Sequence, residues 1–439
     1  MSRDFRRVLA AEGISNFGAM LSRLAIPWLA ALVLDATPMQ MAALLVADVA
    51  AGAVGSLWLG TWVERHGKRA VMLASDGLRA LVLASLALLA WQGAATMTAL
   101  VLAAAANGVL TMAFEVARSA WMAQRLAQGE LVERNAQLSV ASSLSETAAF
   151  ALGGWVFQWL GAAVALGADA LSYIASGLCL KGVREAAVAP TAAAAATATT
   201  ATTEAVAVAL AASTPATGFV ASVRQQWREV AAGLGVIAGT PTLRALAIIE
   251  ALLALAMSLG GTGYTIYVAR DLAIPTGQLG LIAAMGGLGA IAGAHVAAAA
   301  GRRWGAGRAM AAGLFAAALG SACIPLATGA GFFAIALLVA HQIVGDAGHT
   351  LHQVHDRTLR QTQVPAEMLA RADAGIRGVG QLAMLAGALF AGAFGTFAGA
   401  RGALVLGALV TAAAAIYAAW RLRHLRGVQA AQAAPAARV

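Results

Sequence analysis

The most constraining feature of this chain is the recurrence of apolar stretches long enough to cross a bilayer. A helix needs about 20 mostly apolar residues to span the hydrocarbon. Twelve stretches meet that length: 11–34, 39–62, 70–91, 97–121, 138–159, 162–181, 243–268, 277–299, 308–328, 331–354, 373–396 and 401–421. Of the 439 residues, 60% are hydrophobic and 11% charged, against about 25% charged in soluble domains. The expected fold is therefore an all-α membrane protein with twelve transmembrane helices. Basic residues precede the first stretch, as in a signal peptide. It is too long for such a peptide's apolar core and shows no convincing small-residue cleavage pattern, so it reads as a retained helix.

The basic residues set the orientation. Of the 29 Lys and Arg, 25 lie at the chain ends or in the even-numbered loops, counting helix margins. The odd-numbered loops hold Arg270 and Arg401, and Arg23 and Arg79 lie within spans. The positive-inside rule then puts both termini in the cytoplasm. The net charge of +9 is thereby explained by lipid topology, and nucleic acid is not an expected partner. Cys179 and Cys323 have no metal spacing, and neither a cofactor nor a metal site is expected.

Residues 186–217 are rich in Ala and Thr and read as a flexible cytoplasmic linker. Residues 219–233 follow as an amphipathic interfacial helix anchored by Trp227. The expected organisation is a six-helix bundle over 1–183, a linker over 184–234, a second bundle over 235–425 and a tail over 426–439. Glu130 and Arg134 recur as Glu367 and Arg371 at an offset of 237 residues, each pair spaced for an ion pair on a helical turn. A repeated six-span unit is an architecture of transporters that hold substrate between their halves.

After the second span comes Gly60-Thr61-Trp62-Val63-Glu64-Arg65-His66-Gly67-Lys68-Arg69. Gly60 allows close helix approach, Gly67 a left-handed turn, and Glu64 an acceptor for helix N-terminal amides or a base. This loop resembles the signature of the major facilitator superfamily, with Glu64 where that signature usually has Asp. The stretches ISNFGAMLSRLAIPW, VARSAWMAQRL, ELVERNAQ, ALGGWVFQWLGAAVAL and VPAEMLARADAGIRGVGQLAMLAGALFAG are similar to its bacterial exporter branch, which includes the enterobactin exporter. The second-half counterpart, Gly301 to Arg308, lacks the acid. In span five the branch's Gly-Pro is missing and Gly153-Gly154 remains. These two glycines read equally well as a packing device.

Charges inside a membrane are costly and so are paired, cavity-facing or functional. The candidates for proton coupling or the cavity are Arg23, Asp48, Glu146, Glu250, His341, Gln342, Asp346 and His349. Asp48 reads either as a titrating group tuned by Arg23 or as half of a static pair. The i, i+3 series Asp346, His349, His352, His355 reads as a proton relay, a transition-metal site or a polar helix end. The expected cytoplasmic gate comprises Gly60, Glu64, Arg65, Gly67, Lys68, Arg69, Asp76 and Arg79. Ion pairs are expected at Glu115–Arg118, Glu130–Arg134 and Glu367–Arg371.

No phosphate-binding loop or hydrolase motif occurs. The resemblance implies a monomeric, multi-pass, bacterial inner-membrane transporter and not an enzyme. It is expected to exchange protons for small amphipathic organic molecules, drug-like or siderophore-like. An importer, a uniporter, a metal-ion exporter or an intramembrane sensor or enzyme stay open as alternatives.

Overall fold

The computed structural model describes residues 3–125, 128–183, 235, 237–364 and 366–425. Those residues form helices and no strand. The expected linker, interfacial helix and tail lie outside the described residues.

In chain order the helices are α1 (Arg3–Trp28), α2 (Pro38–His66), α3 (Lys68–Trp91), α4 (Met97–Arg125) and α5 (Gln128–Lys181) in the first half. The second half has α6 (Pro241–Thr265), α7 (Thr276–Trp304), α8 (Ala306–Leu326), α9 (Phe332–Ala340), α10 (Asp346–Gln363) and α11 (Ala366–Leu422). Widened π-turns extend α1 (Leu29–Val33) and α6 (Ile266–Asp271), and a third (His341–Gly345) joins α9 to α10. Proline at the helix start and a capping box fix the entry to α2. Thr37 Oγ1 accepts from Gln40 N at 3.3 Å, and Gln40 Oε1 accepts from Thr37 N at 2.9 Å.

Among the described residues, nine helices are long and apolar enough to cross a membrane, and two of these run to 49 and 51 residues. Both long helices double back at one glycine, Gly161 (φ 80°) in α5 and Gly399 (φ 75°) in α11. In α5, Asn16 Nδ2 donates to Ser142 O at 3.1 Å, and a Cβ on Gly18 would lie 2.6 Å from Asp169 Oδ1. A straight helix would separate residues 142 and 169 by about 40 Å. In α11, Gly387 meets Leu255 while Gly407 meets Ala256. Each long helix therefore supplies two spans. With the single crossings and α2, the architecture is twelve spans in two halves. Two loops anticipated from the sequence are thus single left-handed glycines, because no other residue type enters that region cheaply.

The repeat is sharper in the backbone than in the sequence. Of the eight left-handed residues described, six pair as Asp35 with Ala273, Gly67 with Gly305, and Gly161 with Gly399, each 238 residues apart (273 minus 35, 305 minus 67, 399 minus 161), while Gly93 and Gly329 lie 236 apart (329 minus 93). Leu34 N donates to Leu29 O at 3.1 Å, as Leu272 N does to Tyr267 O at 2.8 Å. The expected offset of 237 is one residue out of this register, and one residue turns a helix face by about 100°.

With an even number of spans, the described chain ends share one face, here called the base. The roof is the opposite face, with Asp35, Gly161, Arg270 and Gly399. One apolar cluster at the roof includes residues of both halves, among them Trp28, Leu29, Leu166, Tyr267, Leu279 and Leu404. Toward the base the cores are separate, one around Phe5, Met72 and Trp121, the other around Leu243, Met310 and Leu422. Large apolar side chains such as Leu81, Leu171 and Phe397 face outward, as lipid contact requires. The protein is a multi-pass membrane protein, closed at the roof and parted toward the base.

Candidate functional site

The seam between the halves is made by α2 against α6 and α11, and by α5 against α7. Glycine makes it tight. A Cβ on Gly280 would lie 3.1 Å from the Gly154 Cα, and one on Gly392 3.1 Å from the Met39 Cα. Gly153 and Gly154 thus play the packing role left open above, with Gly154 on the seam itself and Gly153 against Leu21 and Leu24. Hydrogen bonds cross the same surface: Thr276 Oγ1 donates to Gly154 O at 3.3 Å, and Gly277 N donates to Gln158 Oε1 at 2.9 Å. At the roof, Arg270 lies 3.7 Å from Asp35 Oδ1 and donates to Ala36 O at 3.3 Å. This clasp between halves was not foreseen. Its one legible signal was a rare arginine in an odd-numbered loop.

Below the roof, the carboxylates expected in the spans take related positions. Asp48 on α2 sits against Gly108 on α4, with Asp48 Oδ1 3.2 Å from where a Gly108 Cβ would lie. Asp346, at the start of α10, sits against Gly286 on α7. Adding 238 to 48 and to 108 gives 286 and 346, the register of the backbone repeat. Each half thus holds one carboxylate at the same helix crossing, carried on opposite members of the crossing pair. Both are half-buried, and neither has an ion pair or hydrogen bond among the described residues. Arg23 is exposed and within electrostatic range of Asp48 without an ion pair to it. Glu146, from the other half, is exposed and within range of Asp346. Gln342 Nε2 donates to Ala283 O at 3.1 Å and fastens the π-turn to α7. His341 packs its ring 6.3 Å from that of Tyr264.

The histidine series enters a cleft of about 520 Å³ on the base side of the second half. His349 and His352 line it, their rings 6.1 Å apart. His355 turns away, its ring nitrogen 3.1 Å from Ala297 O on α7. The hub of the cleft is Arg360, which sequence reasoning did not single out. It lies 2.6 Å from Asp356, 3.7 Å from Glu250 on α6 and 3.7 Å from Asp373 on α11. Three helices are tied through this one guanidinium, whose planar fork suits several carboxylates at once. No group of His, Cys, Asp and Glu suited to a metal occurs among the described residues.

Several expected gate contacts differ from the sequence reading. Glu115 is exposed, and Arg118 pairs with Glu12 on α1 instead. The reason is depth: α1 passes beside α4 at the base and offers a half-buried partner. Glu130 does pair with Arg134, at 3.4 Å, and Arg134 also covers the Phe5 ring at 5.3 Å. Asp76 and Arg79 do not reach the signature turn. They are buried in one half, where Asp76 accepts from Arg79 and, at 2.7 Å, from Ser176 Oγ. Arg79 stacks 4.8 Å from the Phe114 ring centroid and 4.3 Å from that of Tyr173. In the turn, Gly67 has φ 80° and Arg69 Nε donates to Leu180 O at 3.3 Å, while Lys68 opens α3. The side chains at Gly60, Glu64, Arg65, Glu367 and Arg371 lie outside the described residues.

Solved membrane transporters share this architecture. A nucleoside transporter, NupG, is 11% identical, with a TM-score of 0.68 over 97% of this chain and 100% of that one. A bacterial homologue of the human lysosomal transporter Spinster, inward-facing and occupied, is 13% identical, with a TM-score of 0.69 over 96% and 98%. A bacterial homologue of the iron transporter ferroportin, also inward-facing, is 13% identical, with a TM-score of 0.64 over 94% and 100%. At such identities the likeness is one of fold. No curated relative matches the chain. The Major Facilitator Superfamily pattern matches residues 8–347. Two six-span halves, the backbone repeat and this match lead to one conclusion: the chain belongs to the major facilitator superfamily, a family of membrane transporters.

Proposed function

We propose that the protein is a proton-coupled exporter of small amphipathic organic molecules in the bacterial inner membrane. Its base faces the cytoplasm, so the present conformation is inward-facing. The basic-residue asymmetry supports that orientation, and the stretches resembling the exporter branch support the direction. The observation that carries the reading is the pair Asp48 and Asp346. Two unpaired carboxylates occupy repeat-equivalent crossings, one in each half, below a seam that is closed at the roof. Proton gain and loss at these two crossings change the charge that each half carries as the halves rock. Glu250 has a different role: Arg360 holds it, so it anchors α6 in the second half.

The test is uptake into inside-out proteoliposomes with an imposed pH gradient, using a panel of amphipathic dyes. Asp48→Asn and Asp346→Asn are each expected to abolish gradient-driven accumulation while leaving exchange of substrate for substrate. Gradient-driven transport unchanged in both variants would refute proton coupling through these residues.

A further inference from the structure

The base-side cleft is lopsided in its pairing. Its three carboxylates, Glu250, Asp356 and Asp373, all converge on Arg360. Two more guanidiniums, Arg357 and Arg377, both exposed, line the same cleft, and among the described residues neither has an acidic partner. His352 also lines it, 3% exposed, with Nδ1 lacking a hydrogen-bond partner. Gln381 adds an amide, and Leu253, Met257 and Met384 form an apolar wall. The volume of about 520 Å³ lies within the range of small-molecule sites, about 300–1,000 Å³.

A cationic ligand would have to take a carboxylate from Arg360. An anionic one meets two guanidiniums that no carboxylate among the described residues holds. Guanidinium to carboxylate, sulfonate or phosphate is among the strongest charge-assisted hydrogen bonds available to a protein.

We infer that this cleft is a subsite for the anionic end of an amphipathic substrate. Arg357 and Arg377 hold the oxygens, and the substrate's apolar body lies along Leu253, Met257 and Met384. The inference rests on the chain's being a transporter of small organic molecules and adds the charge of the cargo. It also separates two tasks in space. His349 lies one helical turn from Asp346, so the cargo's charge would sit on the base side of the carboxylate that takes the proton.

Calorimetric binding to the full-length protein in lipid nanodiscs tests this, with 2-naphthoate and 2-naphthylmethylammonium as probes of opposite charge. Naphthoate is expected to bind, the ammonium probe at least tenfold more weakly. The Arg357→Gln, Arg377→Gln double variant is expected to lose about tenfold or more in naphthoate affinity. Gln381→Glu, on an exposed wall position, is expected to weaken naphthoate and strengthen the ammonium probe, and it serves where the double variant does not fold. Failure of naphthoate to bind, equal binding of both probes, or indifference to Gln381→Glu would overturn the subsite. Because binding needs no gradient, these results stand apart from the vesicle experiment. A protein that moves a cation but ignores naphthoate keeps the transport reading and loses this one.

Discussion

At the scale of single residues, burial decides what a charge does. Asp76 and Arg79 read in sequence as part of a moving gate, since they lie near the signature turn. In the fold they cross-link α3, α4 and the second arm of α5 within one half, fully enclosed by Ser176, Phe114 and Tyr173. Removing one member leaves the other charge buried and unpaired, which costs about 3–5 kcal/mol. Arg79→Ala should therefore lower thermal stability sharply in detergent, as read by the unfolding temperature of the purified protein. Glu115→Gln should leave it unchanged, because Arg118 is held by Glu12. Sequence spacing placed Arg118 three residues from Glu115. It gave no sign of α1 passing alongside, since contacts between distant helices leave no local pattern.

At the scale of elements, the bends are carried by backbone conformation. A Cβ on Gly399 would meet nothing within 4 Å, yet φ is 75°. Gly399→Ala should therefore cost about 1–3 kcal/mol from backbone strain alone. Ala273 shows the converse. It is a non-glycine residue at φ 53°, so Ala273→Gly should relieve strain and raise the unfolding temperature slightly. The two substitutions need only a thermal denaturation series, and effects of the same sign would contradict the assignment. The periodic apolar stretches made the elements legible, but not their ends. Helix α5 begins about three turns before the apolar stretch does, because amphipathic residues such as Glu130 and Arg134 continue the helix beyond the lipid.

At the scale of the whole molecule, the halves are held together at the roof and apart toward the base. The Arg270–Asp35 ion pair is largely exposed, with side-chain exposures of 37% and 82%, and such pairs contribute at most about 1 kcal/mol. The shared apolar cluster and the glycine contacts must do most of the closing. A disulfide tests this directly. Met39→Cys with Gly392→Cys, in a Cys179→Ser, Cys323→Ser background, joins α2 to α11 where they already touch. Oxidation should block transport and reductant should restore it. Undiminished transport by the oxidised, fully cross-linked protein would show that the roof does not open during the cycle.

The sequence by itself determined the fold class, the parity of the spans, the doubled architecture and the family. These follow from counts of apolar residues, the distribution of bases and one loop motif, all of which act locally along the chain. Only the tertiary structure decided which charges meet. It brought Asp48 against Gly108 and Asp346 against Gly286, gathered three carboxylates on Arg360 and joined Arg270 to Asp35. The physical reason is that a helix fixes the direction of its own side chains, whereas a partner is fixed by how helices far apart in sequence cross. At those crossings glycine records its place only through what it leaves room for.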